Sequence, residues 1–211
     1  MDTIRRWDIP HIKFSKSKTL VFMDFETTGF NPWTAGRIIE YSAIKVAPDE
    51  TTVFQSLAKP YLFSEKSELK IPGIITGITK ITNEMVERQR STFDVFRDFY
   101  KFVDNNIIIA HNAKFEYSFY EWYCQFLNLK NKSIFRDTLP MFKKKYGQGA
   151  LSKITQSDNA HMAFDDCVSM IKLMKECKDD DPLLLKLCKS VELTPNTIKS
   201  IMESLGPKKA K

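Results

Sequence analysis

The sequence has few of the residues that mark disulfide-bonded or membrane-spanning proteins. It contains only four cysteines in 211 residues, and no two of them form a CxxC pair. A disulfide framework is therefore not expected, and a reducing, intracellular setting fits best. No uncharged apolar stretch approaches the ~20 residues that cross a bilayer. The first 20 residues also lack the continuous apolar segment of a secretory signal. We therefore predict a soluble, cytoplasmic protein with no membrane partner.

The composition is that of an ordinary globular protein, with 43% hydrophobic and 27% charged residues. A chain of this length can bury a substantial core in one domain. The formal charge of +6 is compatible with a polyanionic partner, but also with a solvated surface kept away from zero charge. Two basic stretches, at residues 129–133 and 142–149, are open to the same two interpretations.

The pattern along the chain predicts a surface leader at residues 1–18, a main domain at 19–178 and a helical extension with a basic tail at 179–211. Buried-strand patterns fall at residues 19–26, 37–48, 51–60, 106–111 and 133–137. Helical patterns include one starting at Ser91 or Thr92, residues 113–129, residues 138–147 stopping at Gly147, and two in the tail at 182–191 and 194–205. Residues 72–77 are predicted as a loop because they hold one proline and two glycines. This order favours a sheet with helices packed on its faces.

The stretch VFMDFETTGF, residues 21–30, places two acids in an apolar strand. Side chains alternate along a strand, so Asp24 and Glu26 share one face while Phe25 faces the other layer. Neighbouring carboxylates can both stay ionised when a cation lies between them, and hard ions such as Mg²⁺ or Mn²⁺ prefer such ligands. The alternative is an ordinary acidic pair at an exposed strand end.

The stretch IIIAHNAKFE, residues 107–116, is a strand followed by a short turn and a helix. Open α/β sheets keep their ligands at such strand ends. Glu116 is predicted in the first turn of this helix, where it is either a functional acid or a routine complement to the helix dipole. Asp137, before the next predicted helix, is interpreted as an N-cap.

The stretch AHMAFDDCVSMIKLMKEC, residues 160–177, predicts a helix with one apolar face. That face comprises Ala163, Cys167, Met170, Ile171 and Met174. Asp166 lies at its edge and is predicted to point inward. Asp165 groups instead with Ser169, Lys172 and Glu176 on a solvent-facing side. His161 precedes this helix and is either a surface residue or a group directed at the ligand of Asp166.

Together, DFETTG, HNAKFE and HMAFDD resemble, in order and spacing, the three motifs of the DEDDh (DnaQ-like) 3′→5′ exonuclease family. The segments at residues 72–86 and 136–144 also resemble family segments, so the resemblance covers roughly residues 19–176. It implies a ribonuclease H-like α/β fold, with a mixed central β-sheet flanked by α-helices.

The resemblance also implies roles for individual residues. It implies two divalent metal ions, Mg²⁺ or Mn²⁺, bound by Asp24, Glu26, Glu116 and Asp166, with His161 as general base. It places six residues at the terminal nucleotide: Thr27, Gly29, Phe30, Ile75, Thr76 and Phe115. The sequence departs from the family twice, since Glu116 replaces an aspartate and Thr76 stands where many members have histidine.

The implied function is metal-dependent 3′→5′ hydrolysis of single-stranded or frayed DNA or RNA, with release of nucleoside 5′-monophosphates. The implied partner is the 3′ end of a nucleic acid, and a DNA polymerase or another replication or repair protein is a further candidate. The alternative is a catalytically weak nucleic-acid-binding or polymerase-accessory subunit, in which Glu116 marks a decayed site.

Overall fold

The computed structural model describes residues 19–47, 50–62, 67–155, 162–176 and 189–190. Its strands are β1 Leu20–Thr27, β2 Ile38–Val46, β3 Thr51–Leu57, β4 Ile107–Ala110, β5 Ile134–Asp137 and β6 Lys189–Ser190. Its helices are α1 Gly73–Thr79, α2 Asn83–Glu87, α3 Thr92–Val103, α4 Ala113–Phe126, α5 Leu139–Tyr146, α6 Leu151–Thr155 and α7 Ala163–Lys175.

The strands form one mixed sheet in the order β3-β2-β1-β4-β5-β6. The first three strands pair antiparallel, β1 and β4 pair parallel, and so do β4 and β5. The parallel pair β4 and β5 is joined by α4, as parallel strands require a crossover connection. The carboxyl ends of β1, β4 and β5 therefore lie at one edge of the sheet, where α4 and α5 begin.

Two apolar clusters cover the two faces of the sheet. One face packs β1 residues such as Phe25 against α3 and α4, and the other packs Phe22 against α5, α6 and α7. Phe99 of α3 lies at the centre of the first cluster, with its ring centroid 5.3 Å from that of Phe25 and 5.5 Å from that of Tyr41. The predicted mixed sheet with flanking helices is confirmed.

Local signals behave as predicted at two helix ends. Ser91 is the N-cap of α3, and its hydroxyl accepts the N–H of Asp94. Gly147 ends α5 with a φ of 69°, a left-handed conformation that glycine adopts without steric cost. The loop predicted at residues 72–77 is wrong, because α1 begins at Gly73 after an extended Pro72. This short helix forms where Ile75 packs on a buried cluster that includes Ile71 and Ile81.

The tail contributes a strand to the sheet. Residues 189–190 form β6, which pairs antiparallel with residues 136–137 of β5, so the helix predicted for 182–191 is wrong at these two positions. The backbone groups at the β5 edge obtain hydrogen-bond partners in this way. The leader 1–18, the rest of that helical pattern and the one at 194–205 lie outside the described residues. None of the helices in the described ranges has the length and apolar character of a transmembrane span.

Candidate active site

Two carboxylates project from the end of β1 on the sheet face that α7 covers. Phe25, which lies between them in sequence, packs on the opposite face against Tyr41 and Phe99. Asp24 and Glu26 therefore point away from that aromatic layer, as the alternation of a strand requires. Both residues are half-buried, unlike an acidic pair at an exposed strand end.

Glu116 is a third buried acid, and it lies in the first turn of α4. Its side chain is 3% exposed, and its Oε2 atom has no hydrogen-bond partner among the described residues. Burial raises the pKa of Glu116 well above its usual range, and the charges of Asp137, Glu26 and Asp166 raise it further. An exposed first-turn acid complements the helix dipole, but a buried oxygen without a partner is costly. This position therefore requires a further interaction.

The turn that carries Glu116 is fixed by a neighbouring strand. Asn112 adopts a φ of 63° immediately before α4. Asp137 at the end of β5 accepts two backbone N–H groups with its Oδ1 atom, from Asn112 at 3.0 Å and from Leu139 at 2.9 Å. The N-cap predicted at Asp137 is wrong by one residue, since Thr138 occupies the N-cap position of α5. Asp137 nevertheless binds the first N–H of α5 and also anchors the β4–α4 turn.

Asp166 lies near the start of α7, which packs across β1 and β2. The five residues of the predicted apolar face are all buried. Burial, together with the charges of Asp165 and then Glu40, raises the pKa of Asp166 to about 6. The predicted solvent-facing side is exposed at Lys172 and Glu176 but wrong near the helix start, where Asp165 is half-buried and Ser169 is 8% exposed. The reason is that the start of the helix lies close against the sheet, which covers adjacent residues. His161 lies outside the described residues.

Glu40 is a fifth acid that the sequence analysis missed. It lies on β2 directly opposite Glu26 and is 7% exposed. Its Oε1 atom accepts from Gln55 Nε2 and its Oε2 atom accepts from the backbone N–H of Ala163, both at 3.4 Å. The available signal was an isolated acid within the apolar run RIIEYSAIKV, the same signal that identified Asp24 and Glu26.

The electrostatic field of the site is dominated by burial and by like charges. Burial raises the pKa of Asp24 well above its usual range, and the charges of Glu116 and Asp166 raise it further. Burial also raises the pKa of Glu26 to about 8, with Glu40 as the largest charge contribution. Acids in such a setting ionise together only when positive charge is supplied. This arrangement of charge favours a bound cation.

The donor set fits a hard divalent ion, since every group is a carboxylate. The partnerless Oε2 atom of buried Glu116 is a further feature that a bound cation would satisfy. Within the described ranges, no group of three or more His, Cys, Asp and Glu side chains is already arranged as a metal site. The carboxylates would therefore have to turn towards the ion as it binds.

These pKa shifts predict an unusual pH dependence of stability without metal. From about pH 4.5 to about pH 8 the folded chain retains a proton on Glu26 that the unfolded chain has lost, so this group's contribution to stability falls as pH rises. Asp166 acts in the same direction up to about pH 6. The measurement is the free energy of unfolding by urea in EDTA, at about pH 5 and about pH 8.5. The stability of Glu26→Gln relative to the wild type should be greater at the higher pH, by at least about 2 kcal/mol. Saturating Mg²⁺ should remove this dependence on pH. If the two proteins differ in stability by the same amount at both pH values, the raised pKa of Glu26 is contradicted.

The residues predicted to meet a nucleotide fall into two groups. Thr27 ends β1, Gly29 and Phe30 follow it, and the Thr27 hydroxyl donates to the Gly29 carbonyl at 2.8 Å. Phe30 is 63% exposed, and its ring lies edge-on to that of Phe115, with centroids 6.4 Å apart.

The second group lies on α1. The contacts of Ile75 are with the apolar cluster beneath that helix, and the Thr76 carbonyl accepts the N–H of Lys80. A role for Ile75 and Thr76 in nucleotide binding stays a prediction.

A buried arginine holds the loop that carries Gly29 and Phe30. The Arg37 guanidinium donates to the carbonyls of Pro32 and Tyr61 and lies 4.4 Å from the ring centroid of Trp122. The loop is closed so tightly that a Cβ atom at Gly36 would lie 2.7 Å from the carbonyl oxygen of Asn31. The sequence analysis missed Arg37, since an arginine at a strand start is usually solvated.

Comparisons with known proteins agree with this arrangement. A family model described as an exonuclease matches residues 21–174. The chain is 30% identical over 177 residues to a PolC-type DNA polymerase III from Thermotoga petrophila, and 29% identical over 143 residues to a DNA polymerase III subunit epsilon from Buchnera aphidicola. These matches cover 76% and 63% of this chain but only 12% and 58% of the relatives.

Solved structures show the same fold. The nuclease domain of 3′hExo, a DEDDh family member bound to rAMP, superposes with a TM-score of 0.60 at 16% identity, covering 85% of this chain and 99% of that one. Escherichia coli Exonuclease I in complex with a dA16 oligonucleotide gives a TM-score of 0.66 at 18% identity, covering 81% and 42%. With the family match over most of its length, the chain belongs to the exonuclease family, in its DEDDh or DnaQ-like group.

Proposed function

We propose that this chain hydrolyses DNA or RNA from the 3′ end with the help of divalent metal ions, releasing nucleoside 5′-monophosphates. The observation that carries the proposal is the convergence of buried and half-buried acids from β1, α4 and α7 at one sheet edge. One oxygen of Glu116 has no hydrogen-bond partner among the described residues. Such a concentration of negative charge is unfavourable unless cations occupy it.

In this proposal Asp24, Glu26, Glu116 and Asp166 hold two ions, Mg²⁺ or Mn²⁺. Bound divalent ions supply an activated water and relief of charge on the leaving oxygen. Glu116 is buried and the other three carboxylates are half-buried, a setting that strengthens their interaction with cations relative to bulk water. The third motif assigns His161 as the group that accepts the proton of the attacking water, which suits an imidazole near neutral pH.

The exposed ring of Phe30 and its neighbour Phe115 are proposed to contact the terminal base. Stacking on aromatic rings tolerates any base and suits single-stranded ends. Thr27 and Gly29, in the turn after β1, would lie along the sugar and phosphate of the same nucleotide.

The comparisons support nucleic acid as the partner without separating DNA from RNA. Two similar structures are complexes with single-stranded DNA and with 5′ overhanging duplex DNA, and another concerns recognition of a histone mRNA stem-loop. The polymerase names of the relatives support a DNA polymerase as a protein partner. The replacement at Glu116 favours a second candidate, a polymerase-accessory subunit with weak catalysis.

The proposal predicts shortening of oligonucleotides from the free 3′ end. Matched DNA and RNA strands labelled at the 5′ end should give a ladder of shorter products with Mg²⁺ or Mn²⁺ and none with EDTA, and chromatography should identify nucleoside 5′-monophosphates. A 3′-phosphate block should slow the reaction on both strands. Absence of products with both metals, or equal rates for wild type and Asp24→Ala, would leave the accessory role as the better explanation.

A further inference from the structure

The N-cap residue of α7, Met162, makes no side-chain hydrogen bond to the helix. The first hydrogen bond within the helix joins the N–H of Asp166 to the carbonyl of Met162 at 3.1 Å. The N–H groups of residues 163–165 precede it, so the helix itself offers them no carbonyl acceptor.

Glu40 provides an acceptor from a different part of the fold. Its Oε2 atom lies 3.4 Å from the backbone nitrogen of Ala163, the first residue of α7, although the two residues are 123 positions apart. The distance is long for a hydrogen bond, but the carboxylate is 7% exposed and lies at the positive end of a 13-residue helix. Its other oxygen accepts from Gln55 on β3, so both oxygens of Glu40 have partners in the protein.

We propose that Glu40 is a positioning residue for the reaction proposed above: it caps α7 from β2 and so fixes Asp166 relative to Asp24 and Glu26. Both its oxygens already accept hydrogen bonds from the protein, and the proposal gives Glu40 no place among the metal ligands. Asp166 lies three residues beyond Ala163, within the same first turn. A shift of that turn by about 1 Å would carry Asp166 with it, and misplacement of that size can cost about a hundredfold in rate.

The test compares two substitutions at Glu40. Glu40→Gln keeps an acceptor for the Ala163 N–H and should leave turnover within about threefold of wild type, whereas Glu40→Ala should lower it by about 30-fold. In Glu40→Gln, which keeps the acceptor, the half-saturating Mg²⁺ concentration should change by less than tenfold. The matched control is Glu50→Ala, an exposed acid beside the next strand.

Hydrogen exchange supplies a readout that does not depend on activity. In EDTA, amides in the 162–170 segment should exchange faster in Glu40→Ala, while Glu40→Gln and Glu50→Ala should match the wild type. If Glu40→Ala does not fold, the test rests on Glu40→Gln. Faster amide exchange at residues 162–170 in Glu40→Gln would contradict the proposal that residue 40 caps α7.

Two results would overturn the proposal. A tenfold rise in half-saturating Mg²⁺ for Glu40→Gln would identify Glu40 as a metal ligand, and unchanged exchange in folded Glu40→Ala would show that it does not cap the helix. A wild-type protein without nuclease activity would contradict the proposed function, and the exchange experiment would still decide whether Glu40 caps α7.

Discussion

Replacing Asp24 by Asn should lower the rate of 3′-end hydrolysis by about a thousandfold or more. A thousandfold corresponds to about 4 kcal/mol of transition-state stabilisation, which loss of a metal-binding carboxylate at the reacting phosphate can account for. Asp24 is central in the proposal because the charges of Glu116, Asp166, Glu26 and Glu40 all contribute to its pKa. The measurement is the initial rate on a 5′-labelled strand at saturating Mg²⁺.

The same variant should be more stable than the wild type in the absence of metal. A neutral amide removes one of several like charges that are buried together, so the melting temperature in EDTA should rise. Addition of Mg²⁺ should raise the melting temperature of the wild type but not that of Asp24→Asn, since ligand binding stabilises the folded state. Asp104→Asn is the control, because Asp104 is exposed with a φ of 49°, a conformation that asparagine accepts readily. Retained activity, or equal stabilisation by Mg²⁺, would rule out Asp24 as a ligand.

Glu116 is expected to give the second-largest effect. Glu116→Gln keeps the length but not the charge and should lower turnover by about a hundredfold, close to 3 kcal/mol. Glu116→Asp restores the shorter acid typical of the family and should keep or raise turnover. Because the side chain is 3% exposed, removal of a methylene should cost about 1 kcal/mol of stability.

Paired measurements of rate and unfolding separate these two effects of Glu116. Glu121→Gln is the matched control on the same helix, since its carboxylate accepts from Gln125 and Asn131 away from the other acids. A hundredfold loss of turnover in Glu116→Asp, with stability little changed, would mean that the pocket is built around the longer acid. Full activity in Glu116→Gln would exclude Glu116 from the reaction.

Features that depend on local periodicity could be predicted from the sequence. The opposite faces of Asp24 and Phe25 follow from the period of a strand, and the apolar face of α7 follows from that of a helix. The left-handed end of α5 follows from the properties of glycine at position 147. Each of these patterns is contained within a few turns or residues of the chain.

Features that depend on contacts distant in sequence were missed. Glu40 becomes part of the site only through the register that sets it opposite Glu26 and through the docking of α7 on β2. Helix α1 contains two glycines and forms because Ile75 finds an apolar cluster. Tertiary packing of this kind overrides local propensity, so composition alone predicted a loop.

The two-residue strand β6 makes the tail part of the catalytic sheet. Its backbone pairs with residues 136–137 of β5, and the last of these, Asp137, holds the turn in front of Glu116. A chain shortened at residue 178, where the composition changes, would turn β5 into an outer strand with unsatisfied backbone groups next to the site. Such an edge invites pairing with other chains. The shortest chain expected to stay free of edge-to-edge association therefore extends to β6, beyond the third sequence motif.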